Sequence, residues 1–192
     1  MSIDADNLRI LHHVEHACSQ TGVEWMLVGA LARDIHLIEI AGIVPSRATN
    51  DVDIAVAVES WESFTALKEL LISSRKFVTS NNAQRLLGVD DLDGRQLNIV
   101  PFGEGIRDAN GLICWPPDAA VVMSVAGFEE AFRSSVEHQI GEQRIRLASV
   151  PGLAALKRHC GVVGEAIFQL VHYGGCAYSF VMSSSNTAAT RK

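Results

Sequence analysis

Two aspartates with one residue between them, Asp51 and Asp53, open a β-branched run of period two, Asp51 to Val58. On a strand, residues two apart face the same way. The two carboxylates therefore stand side by side, while Val52, Ile54, Val56 and Val58 face the other side. Adjacent anions repel and lower strand propensity, and a hard divalent cation with oxygen ligands is the natural candidate to offset that cost. Taken alone, the triplet fits equally well the opening of a strand at a solvent edge. The neighbours favour the cation. Gly29 and Ala30 follow the apolar run Glu24 to Val28 and open a helix, Leu31 to Ile40. That junction leaves backbone N–H groups where a phosphate can sit. Arg33 and Asp34 lie one turn in. Arg47 and Thr49 stand just before Asp51, placed to contact phosphate or to fix the loop.

The elements that must hold these residues follow from periodicity and punctuation. A helix is expected over Asn7 to Cys18, with Leu8, Leu11, Val14 and Cys18 on its buried side and His12, His13 and His16 on a solvated face. Gly22 ends it. After the loop Ala41 to Asn50 and the aspartate strand, Ser60 caps a helix Trp61 to Ser73 whose inner face is Trp61, Phe64, Leu67 and Leu71. Arg85 to Val89 and Arg95 to Val100 are strands joined through DDLDG, and Pro101 is expected to stop the second. The stretch GEGIRDANGLICWPPD is a loop, AVVMSV a strand, and Phe128 to Ser135 a helix. A hairpin turns at Gly141, and a last helix spans Pro151 to His159. The alternation predicts an α/β (α+β) domain with a mixed sheet over residues 1–159. Residues 160–192, glycine-rich with a Ser/Thr-rich end, form a divergent C-terminal segment, truncated or partly disordered.

Bulk properties narrow the partners. The net charge is −6, and no Lys/Arg cluster exceeds two residues, so a small substrate or one end of a nucleic acid fits better than a long duplex. The four cysteines show no CxxC pair and no histidine at zinc-ligand spacing, as expected of free thiols in a reducing compartment. No apolar run reaches the roughly 18 residues needed to cross a bilayer. The first residues are too polar for a secretory signal. The chain is expected to be soluble and cytoplasmic.

The order LVGALARD, RATNDVDIAV, LNIVPFG resembles the DNA polymerase β-type nucleotidyltransferases, and within them the AbiEii-like bacterial proteins, from about Trp25 to Lys157. The resemblance implies a mixed β-sheet flanked by helices. It implies transfer of a nucleoside monophosphate from an NTP to an acceptor hydroxyl with two metal ions, the acceptor being an RNA end, a protein or a small molecule. It also implies a toxin partnered by an antitoxin protein. By position, Gly29 and Ala30 match the glycine motif that holds the triphosphate, and Asp51 and Asp53 match the metal-binding pair. Asn98 falls at the third carboxylate, usually an aspartate that helps deprotonate the acceptor. Lys157, in VPGLAALK, matches a helix lysine directed at the phosphates.

Two departures divide the functional reading. Asn98 cannot act as a base, and losing one typically costs about 10²–10⁴-fold. The residues after Lys157 lack the Arg and Asp pattern of those relatives. The sequence thus leaves open an active transferase, an NTP-binding pseudoenzyme with a regulatory role, and a plain α/β domain that binds no nucleotide.

Overall fold

The computed structural model describes residues 3–43, 49–92, 94–119 and 121–159. Arg47 and the C-terminal segment 160–192 lie outside them, so the expectations placed there stand as made.

Helix α1 (Ala5–Thr21) begins where the Asp4 carboxylate accepts the Asp6 N–H at 2.8 Å and ends at Gly22 in the left-handed conformation. Its buried side holds Asn7, Ile10, Leu11, Val14, Ala17 and Cys18. The expected face is thus rotated slightly, with Ile10 inside and Leu8 half-buried. His12 and His16 are exposed as expected, and His13 rests edge-on against Phe77. Strand β1 (Glu24–Val28) runs directly into α2 (Gly29–Ala41). Strand β2 (Asp51–Ala57) follows, then α3 (Trp61–Ser73), which Ser60 caps through the Ser63 N–H.

Next come β3 (Phe77–Thr79), β4 (Arg85–Gly88), β5 (Gln96–Phe102), β6 (Leu112–Cys114) and β7 (Val122–Ser124). The described chain ends with α4 (Phe128–Arg133), the hairpin β8 (Val136–Ile140) and β9 (Gln143–Leu147), and α5 (Val150–His159). Seven strands form one mixed sheet in the order β3-β4-β5-β2-β1-β9-β8, and β6 and β7 pair separately. The predicted fold class holds.

Three expectations are corrected. Strand β3 escaped notice, and so did β6, which lies inside the stretch read as loop. Each is three residues long, too short to display a period of two. Pro101 does not stop β5 but lies within it, opposite Val56. The Ile99 N–H reaches toward the β4 side, to the Gln84 carbonyl, and Pro101 two residues on faces the same side. There the pairing of β4, which covers only Gln96 to Asn98, has already ended. A missing N–H costs nothing at such a position.

Strand β2 sits inside the sheet between β5 and β1. Val52, Ile54 and Val56 on one face are fully buried, and so is Ala55 on the other, so both faces are covered. Helices α1 and α3 pack together, α2 lies on β1 and β2, and α5 packs against α2 and α4. The aspartate strand is therefore not a solvent edge. Among the described residues no helix is long and apolar enough to cross a membrane.

Candidate active site

Strand register assembles the site. Antiparallel pairing sets Val28 opposite Asp53, parallel pairing sets Asp53 opposite Asn98, and antiparallel pairing sets Asn98 opposite Arg85. Four strands thus contribute one row, with neighbours about 4.8 Å apart. Asp51 stands one row further along the same face of β2, half-buried, opposite Gln96.

Asp53 is the most constrained member. Only 6% of it is exposed, and its Oδ1 accepts the Asn98 Nδ2–H at 2.8 Å. The backbone N–H of Ala30 also bonds the carboxylate. Helix α2 has no cap from its own preceding side chain, Val28. Asp53 fills that role from the adjacent strand, placing a negative charge at the positive end of the helix. Gly29 makes this closeness possible. Its φ is +69°, and a Cβ there would come within 2.2 Å of Asp53 Oδ2. Burial pushes the Asp53 carboxyl up to about 6, with Asp51 adding to the rise, while Asn98, Arg85 and the Ala30 N–H pull it down.

Asn98, 7% exposed, has both ends of its amide committed. Its Oδ1 accepts the Arg85 Nε–H at 2.9 Å while its Nδ2 serves Asp53. A guanidinium only donates and an ionised carboxylate only accepts, so this orientation alone satisfies both neighbours.

The approach to Asp51 is held from elsewhere. The Arg95 guanidinium donates to Asp4 and Asp6 at 2.9 Å each, to Asn50 Oδ1 at 3.2 Å and to the Thr49 carbonyl at 3.4 Å. Asn7 also donates to the Thr49 carbonyl, at 3.2 Å. The first turn of α1 is thereby tied to the residues immediately before β2. Replacing Arg95 by Met keeps the apolar stem and removes every donor. Charge-assisted bonds are worth about 1.5–3 kcal/mol each when sheltered, and those to the half-exposed Asp4 and Asp6 far less. A net loss of about 1–3 kcal/mol is expected, read as a melting temperature lower by roughly 2–12 °C. An unchanged melting temperature would mean the network is ornamental.

The donor set suits a hard cation: two adjacent carboxylates, one of them buried without a full counter-charge. Among the described residues no group of three or more His, Cys, Asp or Glu side chains is placed to hold a metal ion. Asp51 and Asp53 would hold one, with the remaining oxygens coming from a bound ligand or solvent.

No protein-family model and no curated protein matches the sequence. Two solved structures are similar to the chain. The solution structure of the antibiotic-resistance factor ANT(2'')-Ia is 14% identical, covering 78% of this chain and 71% of its own, with a TM-score of 0.43. The lincomycin-bound crystal structure of the lincosamide antibiotic adenylyltransferase LnuA is 12% identical, covering 81% of this chain and 86% of its own, with a TM-score of 0.44.

The structure brings together Gly29, Ala30, Asp51, Asp53 and Asn98. The Ala30 N–H is engaged by Asp53 rather than left open. Arg33 is turned to its neighbour Asp34, Nε to Oδ1 at 2.7 Å. Thr49 contributes its carbonyl to the Arg95 network. Lys157 is exposed on α5. Asp91 pairs with Lys76 at 2.6 Å and with Arg9 of α1 at 3.4 Å. Sequence reading missed Arg85 and Arg95, both seen only as strand openings. An arginine two strands from an aspartate becomes visible only once the β4–β5 register is known.

Proposed function

We propose that the chain is a metal-dependent nucleotidyltransferase that moves a nucleoside monophosphate from an NTP to an acceptor hydroxyl, releasing pyrophosphate. One observation carries the reading: the glycine of the β1–α2 junction lies directly on Asp53, beside Asp51 on the same face. That places a helix N-terminus and a carboxylate pair at one point, as a triphosphate held through a cation requires.

In this reading Asp51 and Asp53 hold Mg²⁺ or Mn²⁺. Gly29 and Ala30 shape the floor beneath the triphosphate, and Arg33, Arg47, Thr49 and Lys157 supply phosphate contacts. The cation would neutralise the triphosphate and stabilise the departing pyrophosphate. The protein's own share is positioning. Asn98 holds Asp53 in one rotamer, and the Arg95 network sets the entry of β2. The resemblance to AbiEii-like proteins carries the finer reading of a cytoplasmic toxin answered by an antitoxin protein.

Calorimetric titration of ATP, GTP, CTP and UTP with Mg²⁺ tests the proposal. At least one NTP is expected to bind wild type, and the heat is expected to vanish in Asp51→Ala/Asp53→Ala. A well-folded wild type that binds none would refute it. A second reading, an NTP-binding pseudoenzyme, is favoured by the Asn98 amide occupying the third carboxylate's place. It predicts the same binding with no release of pyrophosphate for any acceptor.

A further inference from the structure

The orientation of Asn98 has a consequence for how much metal the site can take. A third carboxylate at this position would point oxygen at the space beside Asp53 and complete a second cation site. Here the side chain points an N–H there instead, at 2.8 Å from Asp53 Oδ1. A donor hydrogen repels a cation. The amide oxygen that could ligate one is turned the opposite way and bound to Arg85 Nε at 2.9 Å. Turning the amide over would set the carbonyl against Asp53 and the NH₂ against a guanidinium, breaking two hydrogen bonds in a row where Asn98 is only 7% exposed. Arg85 is itself held in register opposite Asn98 by the β4–β5 pairing. A fixed positive charge thus stands behind the amide where a second cation's field would otherwise act.

From this geometry we infer that the site is built for a single divalent cation, held by Asp51 and Asp53, and that Arg85, acting through Asn98, stands in place of the second. The inference rests on the nucleotidyltransferase reading, because it presumes that the carboxylate pair receives a cation with its nucleotide. Arg85 is a positioning residue: its bond to Asn98 Oδ1 fixes which atom of Asn98 faces Asp53.

Manganese counting decides it. Electron paramagnetic resonance of Mn²⁺, titrated into the full chain with a non-hydrolysable ATP analogue, gives the number of protein-bound ions directly. Wild type is expected to immobilise one Mn²⁺ per chain, lost in Asp51→Asn. The double variant Arg85→Met/Asn98→Asp, which removes the guanidinium and restores the carboxylate, is expected to immobilise two. Asn98→Asp alone is expected to remain at one, its new charge answered by Arg85. Two ions in wild type would overturn the single-cation inference and leave the transferase reading standing. No ion sensitive to Asp51→Asn would overturn both. If the double variant fails to fold, the wild-type count still decides between one and two.

Discussion

Replacing Asp53 by Asn is expected to make the metal-free protein more stable at neutral pH while strongly weakening the proposed metal-dependent nucleotide binding. The carboxyl is raised from an ordinary 3.8 to about 6, chiefly by burial. Between those values the folded chain holds a proton that the unfolded chain has shed. The stability contributed by protonated Asp53 is therefore complete below about pH 4 and lost as pH rises through 6. Two units correspond to about 3 kcal/mol of penalty above that range. Asn carries no charge and keeps an oxygen for the Asn98 N–H, though it puts the bond from the Ala30 N–H at risk, worth about 1 kcal/mol. A net gain of about 2 kcal/mol, or roughly 4–8 °C in melting temperature at pH 7, should follow. The gain should shrink as pH falls and turn into a loss of up to about 1 kcal/mol by pH 4. Binding of Mg²⁺ with nucleotide should fall by about 10²–10³-fold, as when one partner of a buried charge pair is removed. Melting scans from pH 4 to 8, paired with calorimetry, check both halves. A variant no more stable than wild type at pH 7 would show that Asp53 is not held under strain.

The second large effect is at Gly29. An alanine Cβ would lie 2.2 Å from Asp53 Oδ2 and 2.8 Å from its Cβ, and the backbone has φ +69°. The left-handed conformation costs a non-glycine residue about 1–2 kcal/mol. Forcing a methyl into packed space typically adds about 1–3 kcal/mol. Gly29→Ala is expected to lower the melting temperature by roughly 4–20 °C, at about 2–4 °C per kcal/mol. Relief requires displacing Asp53, so Mg²⁺–nucleotide binding should weaken at least tenfold in whatever fraction remains folded. Gly22→Ala is the matched control. It shares the positive φ and has nothing within 4 Å, so it should cost the conformational share alone and leave binding intact. Equal losses of binding in the two variants would remove Gly29 from the site.

These contrasts explain which parts of the molecule were legible in the sequence. The helices α1, α3 and α5 declared themselves through their ends and apolar spacing: Gly22 at one end, Ser60 and Pro151 at others. The strands β1 and β2 were long enough to show their composition or period. The pair Asp51 and Asp53 and the glycine junction could be found because their meaning is local, a spacing of two and a strand-to-helix turn. What the sequence withheld depends on register. Nothing adjacent to Arg85 marks it as the partner of Asn98, and nothing near Arg95 marks Asp4, Asp6 and Asn50 as its acceptors. The same holds for Pro101, whose tolerance depends on where a neighbouring strand ends. Central placement of β2 was likewise invisible, and it buries Val52 and Asp53 of a common acidic triplet while leaving Asp51 half-exposed.

The row Arg85, Asn98, Asp53 and Val28 is drawn from four strands and exists at one alignment only. Because strand side chains alternate, a slip of a single residue in β2 would send Asp53 to the opposite face and bring Val52 or Ile54 to the helix N-terminus. A misaligned chain would still be compact, but it could not capture a metal–nucleotide complex. Under the proposed function such a ligand would act as a proofreader of folding: it would bind only the correctly aligned sheet and add RT ln(1 + [L]/Kd) to that state alone. At a hundredfold excess over Kd this is about 2.7 kcal/mol, comparable to the penalty that buried Asp53 imposes when the site is empty. The charge that strains the fold would then be the one through which a ligand selects it.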